Sequence, residues 1–485
     1  MNRKIGVGVL WNLASMFLTR GASTIFMLFL ARMLAPEAFG LVAMAAVVFE
    51  LANAFINSGL GAALIRSKEV SDADLNTVFY TNLGLSLAAY AAIYAGAPYI
   101  AAFYSQPELT ALVQVMGLVV FINAAKIVQS AVLSRMMDFK TQMKANTLAT
   151  VVSGILAVTA GYQGWGVWSL VVQMLSQAAV SAVILWVAGN WKPSWQFSIG
   201  SFTRLFAFGR NLLAEGLLDI AFQNSYILVI GRFFSAELVG LYYLAKKISN
   251  LIANQLTQAV QQVSFPALAS LQDDNAALKY KYRQIMQLMM FLVAPAMMIV
   301  AALSPALFGV ILDEKWQDVV PYLQLLCIVG MIFPMHAMNI NLLKVKGRSD
   351  LVLKIGLLKK TVNITLLFLA IPYGVFGIVL SQIIASFLSL LPNTYFSEKL
   401  LGYSLSMQIK DVVKPISASV LSGAFAWWLT VELQTYPLLI VFFSGLSGVA
   451  LYLISCSLMR VEGFLMVWGK VSASTVLGVR KGKGL

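Results

Sequence analysis

The chain has 485 residues, of which 60% are hydrophobic and only 11% are charged, with a formal net charge of +14. A soluble globular domain carries about 25% charged residues, so this composition excludes that class and marks an all-α polytopic membrane protein. The two cysteines, Cys327 and Cys456, both fall in apolar runs, which excludes a disulfide framework and a thiolate metal site.

A helix needs about 20 mostly apolar residues to cross the hydrocarbon core, and lipid-exposed backbone must be helical. Spans are predicted in chain order near 8–31, 40–62, 77–103, 110–133, 142–162 and 165–188, then near 205–231, 239–263, 285–311, 319–343, 354–373 and 375–397. Two more follow near 413–431 and 437–459, for a total of about fourteen transmembrane helices. These runs are far longer and more continuously apolar than the alternating strands of a β-barrel, which they exclude. The stretch after Arg3 and Lys4 is too long for a signal-peptide core and is expected to be an uncleaved first helix.

The first twelve spans read as a duplication. Arg32, Glu37, Gly40 and Leu41 recur as Arg232, Glu237, Gly240 and Leu241, each set in a short polar break between two apolar runs. Ala45 meets Ala245 at the same spacing, Gln114 to Leu133 lines up with Gln324 to Leu343, and Tyr162 and Gly166 meet Tyr373 and Gly377. The matches keep one order in both halves, as a repeated unit with small loop insertions must. The expected organisation is therefore an N-terminal lobe (1–200), a C-terminal lobe (201–400), and a final pair of helices with a basic tail (401–485). Six helices is an even number, so the two lobes insert with the same polarity as a parallel repeat.

Orientation follows from Lys and Arg in the short loops. With the N-terminus in the cytoplasm, the outer loops carry only Arg32, Arg232 and Lys315 of the 34 basic residues, and most of the rest fall on the cytoplasmic side. Both termini are then cytoplasmic. The tail residues Arg480, Lys481 and Lys483 suit contact with anionic lipid rather than nucleic acid.

A structural bundle with no pathway should contain almost no ionisable groups at membrane depth, since each costs roughly 2.5 to 3.5 kcal/mol even on the mildest scale. This chain places Arg20, Glu50, Lys126, Glu215, Asp219, Lys246 and Lys247 inside predicted helices. The second span carries Glu50, Asn53 and Asn57 on one face, and the eighth carries Lys247, Asn250, Asn254, Gln258 and Gln261 on a similar stripe. Interhelical hydrogen bonding is the alternative use of such amides. Glu215 and Asp219 share a face of the seventh span, and Arg20 lies at similar depth in the first, so either a buried ion pair or a pathway role fits them; a pair that breaks during transport would be a gate. Lys126 is either a lumen cation or a snorkelling side chain, and Lys246 suits snorkelling. Intramembrane cations and amides suggest an anionic, hydroxyl-rich ligand more than an apolar cation.

Catalytic constellations are nearly absent. His336 is the only histidine and is expected to be packed or hydrogen-bonded rather than catalytic, and no Walker-type phosphate loop occurs. No catalytic residue, metal or cofactor is assigned, and the chain reads as a transporter rather than an enzyme. Pro295 and Pro334 interrupt apolar runs and are open to a kink or hinge role, although proline is common in membrane helices and a structural role is favoured.

The stretches LARMLAPEAFGLVAMAAVVF and NSGLGAALIRSKEVSDADLNTVFYTNLGL resemble the start of Wzx-type polysaccharide exporters, particularly their WzxC-like branch. VIGRFFSAELVGLYYLAKKI, SFPALASLQDD and LLKVKGRSDLVLKIGLL resemble the second half of the same family, so the likeness covers roughly residues 8 to 400. The family belongs to the multidrug/oligosaccharidyl-lipid/polysaccharide superfamily. Its fold implies two six-helix lobes in a V, sometimes with two extra helices. Its function implies a flippase that moves undecaprenyl-pyrophosphate-linked oligosaccharide repeat units across the bacterial cytoplasmic (inner) membrane by alternating access. Membrane lipids, H+ or Na+, and a polysaccharide polymerase are the implied partners. On that reading Arg20, Lys126 and Lys247, with Asn53, Asn57, Asn254 and Gln258, face the substrate, and Glu50, Glu215, Asp219, Arg32 and Arg232 serve coupling or gating. The alternatives are an ion-coupled drug or metabolite antiporter of the same fold and a membrane polysaccharide polymerase or ligase. The short outer loops disfavour the last.

Overall fold

The computed structural model describes the backbone of residues 2–57, 59–432 and 437–468, and side chains at all of these except 2–17, 57, 208–212, 214, 215, 263, 437 and 438. The first repeat comprises α1 (Asn2–Met33), α2 (Pro36–Asn57), α3 (Leu60–Arg66), α4 (Asp72–Tyr104), α5 (Leu109–Met116), α6 (Leu118–Arg135), α7 (Phe139–Tyr162) and α8 (Trp168–Ala188). The second comprises α9 (Ile199–Phe233), α10 (Ala236–Ala269), α11 (Asn275–Ile311), α12 (Val319–Val345), α13 (Ser349–Ala370) and α14 (Gly374–Leu401). Helices α15 (Leu405–Glu432) and α16 (Pro437–Leu458) follow. Among the described residues there are 10 apolar spans long enough to cross a membrane. An expected total of about fourteen is compatible with these, because Ser349–Leu401 joins α13 and α14 in one span and α1, α9 and α10 lie outside the set. The apolar surface of α10 is interrupted by Lys246, Lys247 and the amides that follow.

Several expected helix limits change. The span expected at 40–62 ends at Asn57, because Gly59 takes a left-handed conformation (φ 69°) and starts a separate short helix, α3. The span expected at 285–311 begins instead at Asn275, where the Asp274 carboxylate accepts from the Ala276 and Ala277 amides at 3.0 Å. The same effect lengthens α9, whose cap is Ser198 accepting from the Ser201 amide at 3.2 Å. Each such cap satisfies a helix-end donor and contributes about 1 kcal/mol, which is enough to carry polar first turns beyond the apolar core. Helices α11 and α12 continue through Pro295 and Pro334.

The chain divides into two compact units, residues 1–243 and 244–485. In the first, α7 packs between α1 and α8, and α9 packs on α2, α3 and α4. Gly154 lets α1 and α7 close, since an added Cβ would lie 2.2 Å from the Phe26 ring. The connection before α9 is tied down: Asn76 Nδ2 donates to Ser194 Oγ and the Ser194 amide donates to Asn76 Oδ1, both at 2.8 Å. In the second unit α11 is central, with α12, α15 and α16 packed on it, and α14 lies between α12 and α13. The packing boundary therefore falls inside α10.

The two tetrads meet in the first unit. An added Cβ on Gly40 would lie 1.8 Å from the Ala236 carbonyl oxygen, and one on Gly240 would lie 1.9 Å from that of Pro36. Only glycine permits this reciprocal crossing of α2 and α10, as at other close helix crossings built on small residues.

Candidate functional site

A polar concavity of the first unit lies wholly within the first repeat. It is a cavity of about 490 Å3 bordered by α1, α2, α6, α7 and α8. Arg20 of α1, Asn53 of α2 and Lys126 of α6 line it together, joined by Asn123, Asn146 and Gln177. The wall is organised by hydrogen bonds between helices. Asn123 Nδ2 donates to Asn53 Oδ1 at 3.3 Å, and Asn53 Nδ2 donates to the Phe49 carbonyl at 2.9 Å. Ser181 Oγ donates to Asn146 Oδ1 at 3.3 Å, and Gln177 Nε2 donates to Thr150 Oγ1 at 3.3 Å. These bonds hold the amides in place and leave the charges of Arg20 and Lys126 turned to the cavity. Among the described residues neither cation is in ion-pair contact with a carboxylate. The alternative of an Arg20–Asp219 ion pair is not the arrangement found.

Glu50 takes a different partner. Its Oε2 accepts from Asn224 Nδ2 of α9 at 2.6 Å, so the acid of the second span bonds across to the seventh. Asp219, also on α9, is half-buried. The side chains of Glu215 and Asn57 lie outside the described residues, as does the tail with Arg480, Lys481 and Lys483. On α10, within the second unit, Lys247 and Gln258 are exposed and Asn254 is half-buried. At the opposite helix ends Arg32 is exposed, and the Arg232 guanidinium stands 5.6 Å over the Phe103 ring, a cation–π contact.

Sequence reasoning missed Asn123, Asn146, Gln177 and Asn224. Asn123 was detectable, being three residues before Lys126 and so on its face. Asn146 lies four residues after Gln142 and Gln177 four after Gln173, so each also has a polar neighbour on its face, and Asn224 stands beside Gln223.

The second unit buries its polar groups otherwise. Tyr282 Oη donates to Asn339 Oδ1 at 3.1 Å, Asn339 Nδ2 donates to Gln408 Oε1 at 3.0 Å, and Ser397 also donates to Asn339. His336 is packed as expected: Nδ1 accepts from Asn393 Nδ2 at 2.8 Å, and Nε2 lies 3.0 Å from Ser386 Oγ.

Comparison with known proteins bears on this geometry. Residues 29–321 match the family model for polysaccharide biosynthesis proteins. The lipopolysaccharide biosynthesis protein WzxC of Escherichia coli (strain K12) is 25% identical over 373 residues, 76% of this chain and 74% of the relative. The teichuronic acid biosynthesis protein TuaB of Bacillus subtilis (strain 168) is 24% identical over 391 residues, 80% and 81% of the two chains. Among solved structures, the lipid II flippase MurJ in an inward closed conformation superposes with a TM-score of 0.73 at 13% identity, over 93% of this chain and 98% of that one. An inward-facing multidrug resistance MATE family transporter of the MOP superfamily gives a TM-score of 0.56 at 17% identity, over 79% and 95%. These likenesses fix the fold as that of MurJ and the MATE transporters. The chain is a multi-span membrane protein that belongs to the polysaccharide biosynthesis protein family.

Proposed function

We propose that this protein is a flippase of the bacterial cytoplasmic membrane that carries undecaprenyl-pyrophosphate-linked oligosaccharide repeat units from the inner to the outer leaflet, by alternating access, for surface polysaccharide synthesis. The observation that carries this reading is the cavity holding Arg20 and Lys126 without a carboxylate partner among the described residues. Each such charge at membrane depth costs roughly 2.5 to 3.5 kcal/mol, and a polyanionic headgroup offsets that cost while the cations offset the headgroup's own desolvation. The amides around them are suited to sugar hydroxyls. The names of WzxC and TuaB, which place those relatives in polysaccharide biosynthesis, and the flippase fold of MurJ support the same reading.

In this reading both termini are cytoplasmic, residues 1–200 and 201–400 act as the two moving lobes, and residues 401–485 add to the second. Arg20, Lys126 and Lys247 meet the pyrophosphate in turn, while Asn53, Asn57, Asn254 and Gln258 contact the sugars. Glu50, Glu215 and Asp219 carry the coupling proton or sodium, and Arg32 and Arg232 act at the outer gate. The polysaccharide polymerase takes the product.

A leaflet-specific assay of lipid-linked sugar in a deletion strain, read beside drug sensitivity, tests the function. Loss of outer-leaflet units with unchanged drug sensitivity is the expected result. Normal outer-leaflet units would overturn it, pointing to a polymerase if they fail to be joined and to an antiporter if drug sensitivity changes instead.

A further inference from the structure

The second unit contains a basic cavity that the transport reading does not use. It has a volume of about 350 Å3 and lies at the start of α11, the start of α15 and the end of α16. Its floor is neutralised and rigid. Arg283 Nε and Nη2 donate to the two Asp411 oxygens at 2.7 and 2.6 Å, Tyr403 Oη donates to Asp411 at 2.6 Å, and the Arg283 guanidinium stands 5.8 Å over the Tyr403 ring.

Above that floor stand Lys410, Lys414 and Arg460, against the single acid Glu462. Lys410 and Lys414 are one turn apart on α15 and so share a face. Arg460 ends α16 in a left-handed conformation (φ 51°), with the Val461 amide returning to the Cys456 carbonyl at 2.9 Å. Glycine is the ordinary residue at that closing position; here an arginine occupies it and its side chain borders the cavity.

The placement gives the excess charge a purpose. The lining residues come from the ends of three apolar spans, Asn275–Ile311, Leu405–Glu432 and Leu439–Leu458, hence from headgroup depth, on the side that the Lys and Arg distribution assigns to the cytoplasm. Basic pockets between helices at that level hold phosphate-bearing headgroups. We propose that this cavity binds the phosphate of an anionic group, that of a cytoplasmic-leaflet phospholipid resting where α15 and α16 pack on α11.

The test uses the purified full chain in neutral detergent, titrated with phosphatidylglycerol, phosphatidylcholine or inorganic phosphate and followed by native mass spectrometry. The variant is Lys410→Ala/Lys414→Ala/Arg460→Gly, in which glycine keeps the helix-closing turn; the charge-matched control is Lys68→Ala/Lys192→Ala/Lys399→Ala. The expected result is retention of phosphatidylglycerol over phosphatidylcholine by the wild type and control, weakened at least tenfold in the variant. Binding of inorganic phosphate by the wild type and not by the variant, with no preference between the lipids, keeps the anion site and assigns it to a soluble phosphate ligand. Equal binding of both probes by wild type and variant would overturn the proposal.

Discussion

In residues 1–243 the amides of Asn53, Asn123, Asn146 and Gln177 bond at the edge of a cavity that two cations face, whereas in residues 244–485 Tyr282, Asn339, Ser397 and Gln408 close on one another in a buried cluster. The sequence matches between the two sets of helices sharpen the contrast. At the spacing that pairs Gln114 with Gln324, Lys126 corresponds to His336 and Gln129 to Asn339. The lysine lines the cavity; the histidine is held by Ser386 and Asn393. At the spacing that pairs Tyr162 with Tyr373, Gln177 corresponds to Leu388. The matched helices thus differ in their interior polar residues, and the cavity cations Arg20 and Lys126 both lie in the first set.

The largest effect is expected where the copies remain alike. Gly40→Val places a side chain on the Ala236 carbonyl, a backbone group that cannot swing aside. Overpacking usually costs about 1–3 kcal/mol, occasionally more, and a backbone clash belongs at the top of that range. Gly240→Val should do the same through Pro36. Fluorescence-detected size exclusion should show strong loss of folded protein for both; normal thermal stability would contradict the reciprocal crossing.

A smaller effect is expected in the second-copy cluster. Asn339→Leu removes the shared partner of Tyr282, Ser397 and Gln408, and leaving buried donors unpaired costs about 1–3 kcal/mol. Thermal unfolding in detergent should register that loss, while translocation per folded molecule stays at the wild-type level. A specific transport defect without destabilisation would mean that this cluster belongs to the pathway and would break the comparison.

The smallest effect lies at a loop. The Asp138 carboxylate accepts from the Thr141 amide at 3.0 Å and from the Thr141 hydroxyl at 2.7 Å. Its pKa is held below the ordinary carboxylate value first by the hydroxyl and then by the amide. Because the folded value is depressed, the stabilisation is present above the unfolded-state pKa and is lost as pH falls through the folded one. Asp138→Ala should cost about 1 kcal/mol at neutral pH, and the gap between the two melting curves should close in acid. A gap that persists there would mean the cap acts by something other than its charge.

Much of the fold was legible because hydropathy reports the one constraint lipid imposes on every span. It reports only the part of a helix inside the core, so α9 and α11 run further, carried by caps at Ser198 and Asp274. It also passes over Gly59, since a left-handed glycine leaves an apolar run unbroken in composition. Of the cavity, Arg20, Asn53 and Lys126 stood out as charges or amides on patterned faces. Asn146 and Gln177 have amides one turn before them, at Gln142 and Gln173, but the meeting of α7 and α8 at the cavity is a tertiary contact that no periodicity encodes. Glu50 was visible as an intramembrane acid, but its partner Asn224 sits far away in sequence and needed the α2 and α9 contact.

The most direct measurement is leaflet-resolved translocation of the lipid-linked oligosaccharide by Arg20→Gln/Lys126→Gln, at matched protein level, beside His336→Gln. Hydrogen bonds to charged groups are worth about 1.5–3 kcal/mol, so the double variant should fall roughly tenfold to a hundredfold or further, while His336→Gln translocates normally per folded molecule. Wild-type rates in the double variant, or an equal loss in both, would contradict a cargo site built in the first copy of the repeat.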